Sequence, residues 1–232
     1  MAMIKGLQKT SLVDFPPYIS CTVFISCCNF RCGFCHNKDL VDDSPELKEI
    51  KESEILEFLD LRKKILDGVC ITGGEPTLYP DIKGVISKIK EKGFKVKLDT
   101  NGSNPLILKE LIDSRLIDYI AMDIKNSMQG YSETCCVSVD IDKIKESIDL
   151  IKNSDIGYEF RSTLVPELHS KKDVDKIGSW LKGSKRFVIQ NFRANNNVID
   201  DKYKGINGFS RENLMKFKEI LMKYIDEVEV RE

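Results

Sequence analysis

The sequence predicts an α/β protein built around a mainly parallel sheet. Short β-type runs alternate with longer helical patterns along most of the chain. Each helix between two consecutive strands has to carry the chain back across the sheet, so such strands run parallel. The number of units suits an incomplete α/β barrel or an open doubly wound sheet, and the pattern alone does not separate the two.

The predicted strands are runs rich in apolar and β-branched residues, namely Cys21–Ser26, Val69–Thr72, Lys95–Asp99, Tyr119–Asp123, Tyr158–Thr163 and Phe187–Asn191. Apolar residues at helical spacing fill the stretches between them. The first such stretch contains Ile55, Leu56, Leu59 and Ile65, and Ser53 precedes it as a helix start signal. A second contains Ile82, Val85, Ile86 and Ile89.

Length and charge indicate a single domain that spans residues 1–232. We expect a lead-in over 1–20 with extended or hairpin structure, a core over 21–225, and a tail over 226–232 that adds a short edge strand. The chain has 36 Lys and Arg against 37 Asp and Glu, so the net charge of -1 indicates no general attraction to nucleic acid or to an anionic membrane. No segment resembles a signal peptide or a membrane span, which predicts a cytoplasmic protein. Because the cytosol keeps thiols reduced, the eight Cys need an explanation other than disulfides.

Three of these cysteines, Cys28, Cys32 and Cys35, have the spacing C-x3-C-x2-C directly after the first predicted strand. Thiolates are the usual ligands of iron–sulfur clusters. Three thiolates leave one iron of a four-iron cubane without a protein ligand, and an open position is what metal catalysis needs. The alternative is a zinc site with His36 as the fourth ligand. It is disfavoured because His36 adjoins Cys35 and the other thiols offer no second C-x2-C pair.

Polar residues follow the later strands, where the loops of parallel α/β folds build their sites. They are Gly73, Gly74, Glu75 and Pro76 after the second strand, then Asp99, Thr100 and Asn101, then Asp123 and Lys125, with Arg161 and Gln190 on the last two strands. Glu75 could accept from an ammonium group, and Asp99 and Asp123 could converge or serve as helix caps. Arg161 needs an anionic partner, and Gln190 could contact a ligand or be a buried side chain satisfied by backbone.

With these motifs the chain resembles the radical S-adenosylmethionine (SAM) superfamily, whose cysteine loop carries an aromatic residue where Phe34 stands. The resemblance implies a partial (β/α)6 barrel with a [4Fe–4S] cluster on Cys28, Cys32 and Cys35. SAM would chelate the open iron and be cleaved reductively to methionine and a 5′-deoxyadenosyl radical. The chain departs from the family at Cys27, where related sequences usually have Gly, so two adjacent thiols compete for the first ligand position.

Within that superfamily the chain is most similar to the activating enzymes of glycyl-radical enzymes, in particular those of anaerobic ribonucleoside-triphosphate reductase. The similarity rests on the lead-in Gly6–Pro16, on the stretch Cys32–Asn37 and on Met122–Lys125. It implies a radical placed on a glycine of a large partner protein, and a flavodoxin- or ferredoxin-type electron donor.

The resemblance also implies a SAM pocket and a monovalent cation held by Asp99, Thr100 and Asp123. Lys125 would meet the SAM carboxylate or ribose. The full set implied for the pocket is Phe34, His36, Gly73, Gly74, Glu75, Pro76, Asp99, Thr100, Asn101, Asp123, Lys125, Arg161 and Gln190.

Three alternatives stay open at this point. The first is a radical SAM enzyme that acts on a small molecule, similar to 7-carboxy-7-deazaguanine synthase. The second is one that modifies another peptide or protein target. The third is an electron carrier without catalysis, and Gly73–Pro76 and Asp123–Lys125 argue against it because a carrier needs no SAM pocket.

Overall fold

An eight-stranded sheet forms the centre of the computed structural model, which describes residues 2–194 and 197–231. The strands are β1 (Ile4–Ser11), β2 (Ser20–Ile25), β3 (Gly68–Gly73), β4 (Lys95–Thr100), β5 (Tyr119–Asp123), β6 (Gly157–Leu164), β7 (Arg186–Asn191) and β8 (Glu227–Arg231). β2 to β8 are parallel, and β1 is antiparallel to β2. The predicted α/β fold with a parallel sheet is confirmed.

The order of the strands separates the two architectures that the sequence left open. A doubly wound sheet reverses its strand order at a switch point, whereas here the order runs from β1 to β8 without reversal. Because parallel crossovers are right-handed, an unreversed order puts the connecting helices on one face of the sheet. The fold is therefore a partial barrel, open between its edge strands β1 and β8.

The helices are α1 (Lys38–Val41), α2 (Glu52–Arg62), α3 (Ile82–Glu91), α4 (Pro105–Asp113), α5 (Tyr131–Cys135), α6 (Ile141–Lys152), α7 (Lys171–Trp180) and α8 (Arg211–Leu221). In α3 the predicted apolar stripe is buried. The prediction for α2 was wrong at both ends, since Ser53 lies inside the helix and Ile65 lies beyond it, 51% exposed. A capping box causes the earlier start, because the Glu54 carboxylate accepts from the backbone N–H of Lys51 at 2.9 Å.

Both ends of the chain add strands to the sheet. The lead-in provides β1, which pairs with β2 from Ile4 opposite Ile25 to Ser11 opposite Ser20. The tail provides β8, which pairs with β7 and confirms the predicted edge strand. The sheet thus extends at both edges beyond the six predicted strands.

The two faces of the sheet differ in chemistry. Val96 and Leu98 of β4 point outward and are fully buried. The alternate residues, including Lys97 and Asp99, point into the barrel. The strand register places Asp99 beside Ala121 and Asp123 beside Arg161, so side chains of three strands meet on this inner face. The interior of the barrel is therefore polar and charged.

Over residues 2–194 and 197–231, no helix combines the length and apolarity that a membrane crossing requires.

Candidate active site

A cavity of about 650 Å³ lies at the carboxyl ends of the parallel strands. Its volume falls within the range of small-molecule sites. It is lined by nearly all the residues that the sequence analysis assigned to a site, namely Cys28, Cys32, Phe34, Cys35, His36, Gly73, Gly74, Asp99, Thr100, Asn101, Asp123, Lys125, Arg161 and Gln190. Glu75 and Pro76 do not line it.

The three cysteines of the C-x3-C-x2-C motif enter the cavity from the loop after β2. A backbone hydrogen bond of 2.9 Å from Cys35 N to Cys32 O tightens this loop. Gly33 packs against the turn Asp201–Tyr203, where a Cβ atom would come within 2.7 Å of the Tyr203 ring. The loop can therefore adopt its shape only with glycine at this position.

The neighbouring Cys27 has a different position. Its backbone is left-handed, with φ +66°, and its carbonyl accepts from the Glu75 N–H at 2.8 Å. Cys28 lines the cavity and Cys27 does not. This arrangement favours Cys28 as the first ligand. It also explains the family preference for glycine at position 27, because a left-handed backbone is costly for a residue with a Cβ atom.

The three thiols of the C-x3-C-x2-C motif differ in acidity. Burial raises the pKa of Cys28 to about 12 and also raises the pKa of Cys35, while the Lys125 ammonium opposes both shifts. A hydrogen bond from the Cys135 thiol lowers the pKa of Cys32 to about 7. Cys135, at the end of α5, is fully buried, and its carbonyl accepts from Arg31 N at 2.9 Å. The spacing of the cysteines did not reveal this fourth thiol beside the ligand loop.

Phe34 and His36 belong to an aromatic cluster under the cysteine loop. The Phe34 ring meets Phe192 and Tyr203 edge to face, with centroids 6.4 and 6.1 Å apart. The His36 ring stacks on Phe192 at 5.5 Å. Within the described part of the chain, the buried His36 Nε2 has no hydrogen-bond partner.

The turn after β3 lies directly against the cysteine loop. A Cβ atom on Gly73 would be 2.2 Å from Ile25 O, and one on Gly74 would be 1.9 Å from Cys27 O. Both positions therefore exclude any side chain. The Asn37 amide donates to Gly73 O at 3.0 Å, which connects the turn to the other end of the cysteine loop.

The Glu75 carboxylate points away from the cavity, into the protein. It accepts from Thr77 N, from the hydroxyls of Thr77 and Thr100, and from Asn101 N, at 2.6 to 3.1 Å. Burial raises its pKa, which these donors oppose. Glu75 thus connects the ends of β3 and β4, and its predicted contact with the SAM amino group stays a prediction.

Five charged side chains form an interior charge network: Lys97, Asp99, Arg161, Asp123 and Lys125. Asp99 Oδ1 is 2.5 Å from Lys97 Nζ, and Asp99 Oδ2 is 3.0 Å from Arg161 Nη1. Asp123 Oδ1 is 2.5 Å from Arg161 Nε, and Asp123 Oδ2 is 2.9 Å from Lys125 Nζ. The anion that Arg161 needs is supplied by these two carboxylates. Its predicted contact with SAM stays a prediction, and the sequence analysis missed Lys97.

The pairings in this network hold its members ionised. Burial by itself raises the pKa of Asp99 and Asp123, but Arg161 and the flanking lysines outweigh it and hold both below their usual range. Burial lowers the pKa of Lys125, and Asp123 outweighs it and raises that pKa. The backbone of Lys125 is anchored by His169, whose Nε2 is 2.9 Å from Lys125 O. His169 lies in the loop after β6 and is buried beneath this strand end.

Asn101 and Gln190 reach the cavity from opposite sides. The Asn101 amide contacts Asn29 Oδ1 at 2.9 Å and the Cys28 sulfur at 3.8 Å. Gln190 Oε1 accepts from the Thr163 hydroxyl at 3.3 Å, so its partner is a side chain and not the backbone. The sequence analysis did not include Arg193, after β7, among the site residues that line this cavity. The strand-end position of Arg193 was a usable signal.

The residues present fit a [4Fe–4S] cluster with a polar ligand beside it. The three thiol residues, His36 and Lys125 line one cavity, and the glycine turn packs tightly against the cysteine loop. Among the described residues, no three His, Cys, Asp or Glu side chains are placed to hold a single metal ion. Thiolates bound to different irons of a cubane are farther apart than the ligands of one ion, so the two observations agree.

Comparison with known proteins decides the family. The sequence profile of the Radical SAM superfamily matches residues 22–180, which include the cysteine loop and the ends of β3 to β6. The chain belongs to the radical SAM superfamily. It is an enzyme that uses a [4Fe–4S] cluster and SAM.

Relatives of this radical SAM enzyme show to which family within the superfamily it belongs. A protein of Methanocaldococcus jannaschii named as a glycyl-radical enzyme activating enzyme is 33% identical over 99% of this chain and 96% of its own length. The pyruvate formate-lyase-activating enzyme of Clostridium pasteurianum is 29% identical over 78% of this chain and 77% of its own. The chain is thus a member of the activating-enzyme family.

A solved structure supports the fold. The SAM-bound form of SuiB from Streptococcus suis superposes with a TM-score of 0.68 and 19% identity, over 88% of this chain. This chain spans about half the length of SuiB, 48% of it. The shared part is the radical SAM fold.

Proposed function

We propose that this enzyme generates a glycyl radical on a partner enzyme, and that the partner is an anaerobic ribonucleotide reductase. When bound, the cluster and SAM supply a 5′-deoxyadenosyl radical, which takes one hydrogen atom. In the reaction the Cα–H bond of one glycine breaks and a C–H bond forms at the 5′ carbon. Glycine suits this transfer because no side chain blocks approach to its Cα.

The site residues would hold and orient these groups. Cys28, Cys32 and Cys35 would ligate the cluster, and Lys125 would offer its ammonium to an anionic part of SAM. The turn Gly73–Gly74 lets backbone approach the ligand closely. The cavity is open to solvent at the strand ends, which leaves a way in for a loop of a protein substrate.

The observation that carries the proposal is the similarity to a named activating enzyme over 99% of this chain and 96% of the relative. Similarity over the whole length includes the regions outside the superfamily match at 22–180, namely the lead-in and the last two strands. The choice of ribonucleotide reductase is supported by the resemblance of Gly6–Pro16 to the lead-in of its activators.

The proposal extends to the setting of the reaction. A flavodoxin- or ferredoxin-type protein would donate the electron, and the cytoplasm would be the compartment, since free thiols persist where disulfides are reduced. Residues 1–232 would form one radical SAM domain.

The test is electron paramagnetic resonance of the partner. Anaerobically reconstituted enzyme, SAM and dithionite are mixed with the ribonucleotide reductase, and in parallel with a pyruvate formate-lyase. We expect a glycyl-radical doublet on the reductase, and none when its target glycine is replaced by alanine. Lys125→Met should weaken SAM binding about ten- to a hundredfold and reduce the doublet. Lys145→Met, which removes an exposed lysine, is the matched control.

A doublet on the lyase alone would show that the partner is the lyase, and the proposed activating activity would still hold. If SAM is cleaved and neither partner acquires a radical, the activase function is wrong.

A further inference from the structure

The three predicted ligands of a monovalent cation are already engaged by the protein. Asp99 binds Lys97 and Arg161, and Asp123 binds Arg161 and Lys125, so each of the four carboxylate oxygens has a cationic partner within 3.0 Å. The Thr100 hydroxyl donates to Glu75 at 2.7 Å and accepts from Gly102 N at 3.1 Å. These residues do not fit an additional cation.

Lys97 accounts for this difference from the expected site. It lies on β4 two residues before Asp99, so both side chains point into the barrel. Its side chain is 5% exposed, and its ammonium contacts Asp99 Oδ1 and, at 4.0 Å, the Cys70 sulfur. A buried ammonium this close to Asp99 occupies the electrostatic role of a bound cation.

The charges in the interior network support the same conclusion. Two carboxylates, Asp99 and Asp123, face three cations, Lys97, Arg161 and Lys125. These five side chains therefore carry one positive charge in excess, and the nearby Glu159 carboxylate is paired with Arg186 and Arg231. A fourth cation would add repulsion in a region where the surrounding dielectric screens weakly.

We propose that the Lys97 ammonium replaces the monovalent cation, so that SAM binding by this enzyme requires neither Na⁺ nor K⁺. Lys97 is a positioning residue. It contacts Asp99, and Asp99 contacts Arg161. Arg161 also contacts Asp123, which in turn contacts Lys125. Asp99 lines the cavity, whereas Lys97 does not. The inference concerns the SAM site and is independent of the identity of the partner enzyme.

The experiment measures the SAM dissociation constant of cluster-loaded enzyme by anaerobic calorimetry. Three buffers of equal ionic strength are compared, and each contains one monovalent cation: Na⁺, K⁺ or tetramethylammonium. Tetramethylammonium is too large for such a site. We expect wild-type dissociation constants within about twofold of one another, a difference of less than 0.5 kcal/mol by the usual conversion. Lys97→Met should bind SAM about tenfold more weakly in tetramethylammonium and recover in K⁺ or Na⁺.

Two controls separate this role from a structural one. Lys97→Arg keeps a buried cation and should stay independent of the buffer. Lys145→Met removes one exposed positive charge and should behave like the wild type. Rescue by a dissolved cation is a response that a merely misfolded variant would not show.

Thallium(I) is a direct probe of the site. Its nuclear magnetic resonance signal should stay at the free position with wild-type protein and shift with Lys97→Met. A tenfold loss of wild-type SAM affinity in tetramethylammonium would overturn the proposal, and so would wild-type thallium binding that SAM alters. Neither of these measurements depends on whether the variant folds.

Discussion

Among the residues of the ligand loop, three chemically identical thiols have different pKa values because each has a different neighbour. Cys28 and Cys35 are buried with little compensation, whereas Cys32 receives a hydrogen bond from the Cys135 thiol. Thiolates are the metal-binding form, so the neighbouring Cys135 thiol favours the form of Cys32 that binds iron. Cys135 acts on the site without lining the cavity.

The ligand assignment predicts a sharp difference between Cys32→Ala and Cys135→Ala. Anaerobic reconstitution should give about four irons per wild-type chain. Cys32→Ala should lose the cluster, because two thiolates cannot hold the cubane. Cys135→Ala should keep it, since its thiol only donates to Cys32. Iron analysis and the visible absorption spectrum measure both. A full cluster in Cys32→Ala would rule out the assignment.

A second residue-scale prediction concerns the left-handed backbone of Cys27. Relief from that conformation is worth about 1–2 kcal/mol, and the extra freedom of glycine in the unfolded chain offsets about 0.5–1 kcal/mol of it. Cys27→Gly should therefore leave the stability of the apoprotein unchanged or slightly higher, with full iron content. Cys27→Val, which is β-branched, should lower stability by about 1–3 kcal/mol. Urea unfolding gives the stabilities. Loss of iron in Cys27→Gly would show that the Cys27 thiol takes part in ligation.

At the scale of elements, the last strand is joined to the barrel by ion pairs as well as by backbone pairing. The Glu159 carboxylate on β6, 4% exposed, accepts from Arg231 of β8 at 3.2 Å and lies 3.6 Å from Arg186 Nε of β7. A buried carboxylate that loses a partner is costly. The edge strand is therefore connected across β7 to the interior of the sheet.

Arg231→Met should test this connection. We expect the apoprotein to lose about 1–3 kcal/mol of unfolding free energy, because Glu159 stays buried with only longer contacts, to Arg186 Nε at 3.6 Å and to the Tyr119 hydroxyl at 3.4 Å. Lys145→Met breaks an exposed pair with Asp142 and should change stability little. Urea denaturation followed by circular dichroism compares the two. Equal effects would mean that the β6–β8 pair contributes nothing beyond a surface contact.

At the scale of the whole molecule, the barrel encloses charges instead of an apolar core. The helices cover the outer face with apolar side chains, and the inner face carries the interior charge network toward the cavity. Asp99 and Asp123 have lowered pKa values, so the unfolded chain binds protons on these groups more readily than the native protein does. Their stabilising contribution is complete above the unfolded pKa of about 3.9 and is lost as pH falls through the lower native pKa.

Acid unfolding of the apoprotein should show this dependence. Below about pH 4 the unfolding free energy should fall steeply with decreasing pH, and Asp123→Asn should flatten the slope because one linked group is gone. Asp142→Asn is the control, since this carboxylate lies on the exposed surface, outside the network. Urea titrations at a series of pH values give the slopes. Identical slopes for wild type and Asp123→Asn would contradict the linkage.

Local patterns were sufficient for much of the site. Cys28, Cys32 and Cys35 lie close together because one short loop carries all three. Asp99, Asp123 and Lys125 lie at one edge of the sheet because each is at the end of a strand. The alternation in Lys97-Leu98-Asp99 and Glu159-Phe160-Arg161 also carried an unused signal. A strand buried on two apolar faces does not alternate, so these strands already favoured a barrel with a polar interior.

By itself, the sequence determined the α/β fold, the three clustered thiols and most of the residues around the cavity, because periodicity and loop spacing act over short distances. Only the tertiary structure decided the unreversed strand order, the inward turn of Glu75 and the partners of Arg161. It also decided the contacts of Cys135 with Cys32 and of Lys97 with Asp99. Cross-strand register and packing between distant segments set these pairings, and no spacing along the chain encodes them.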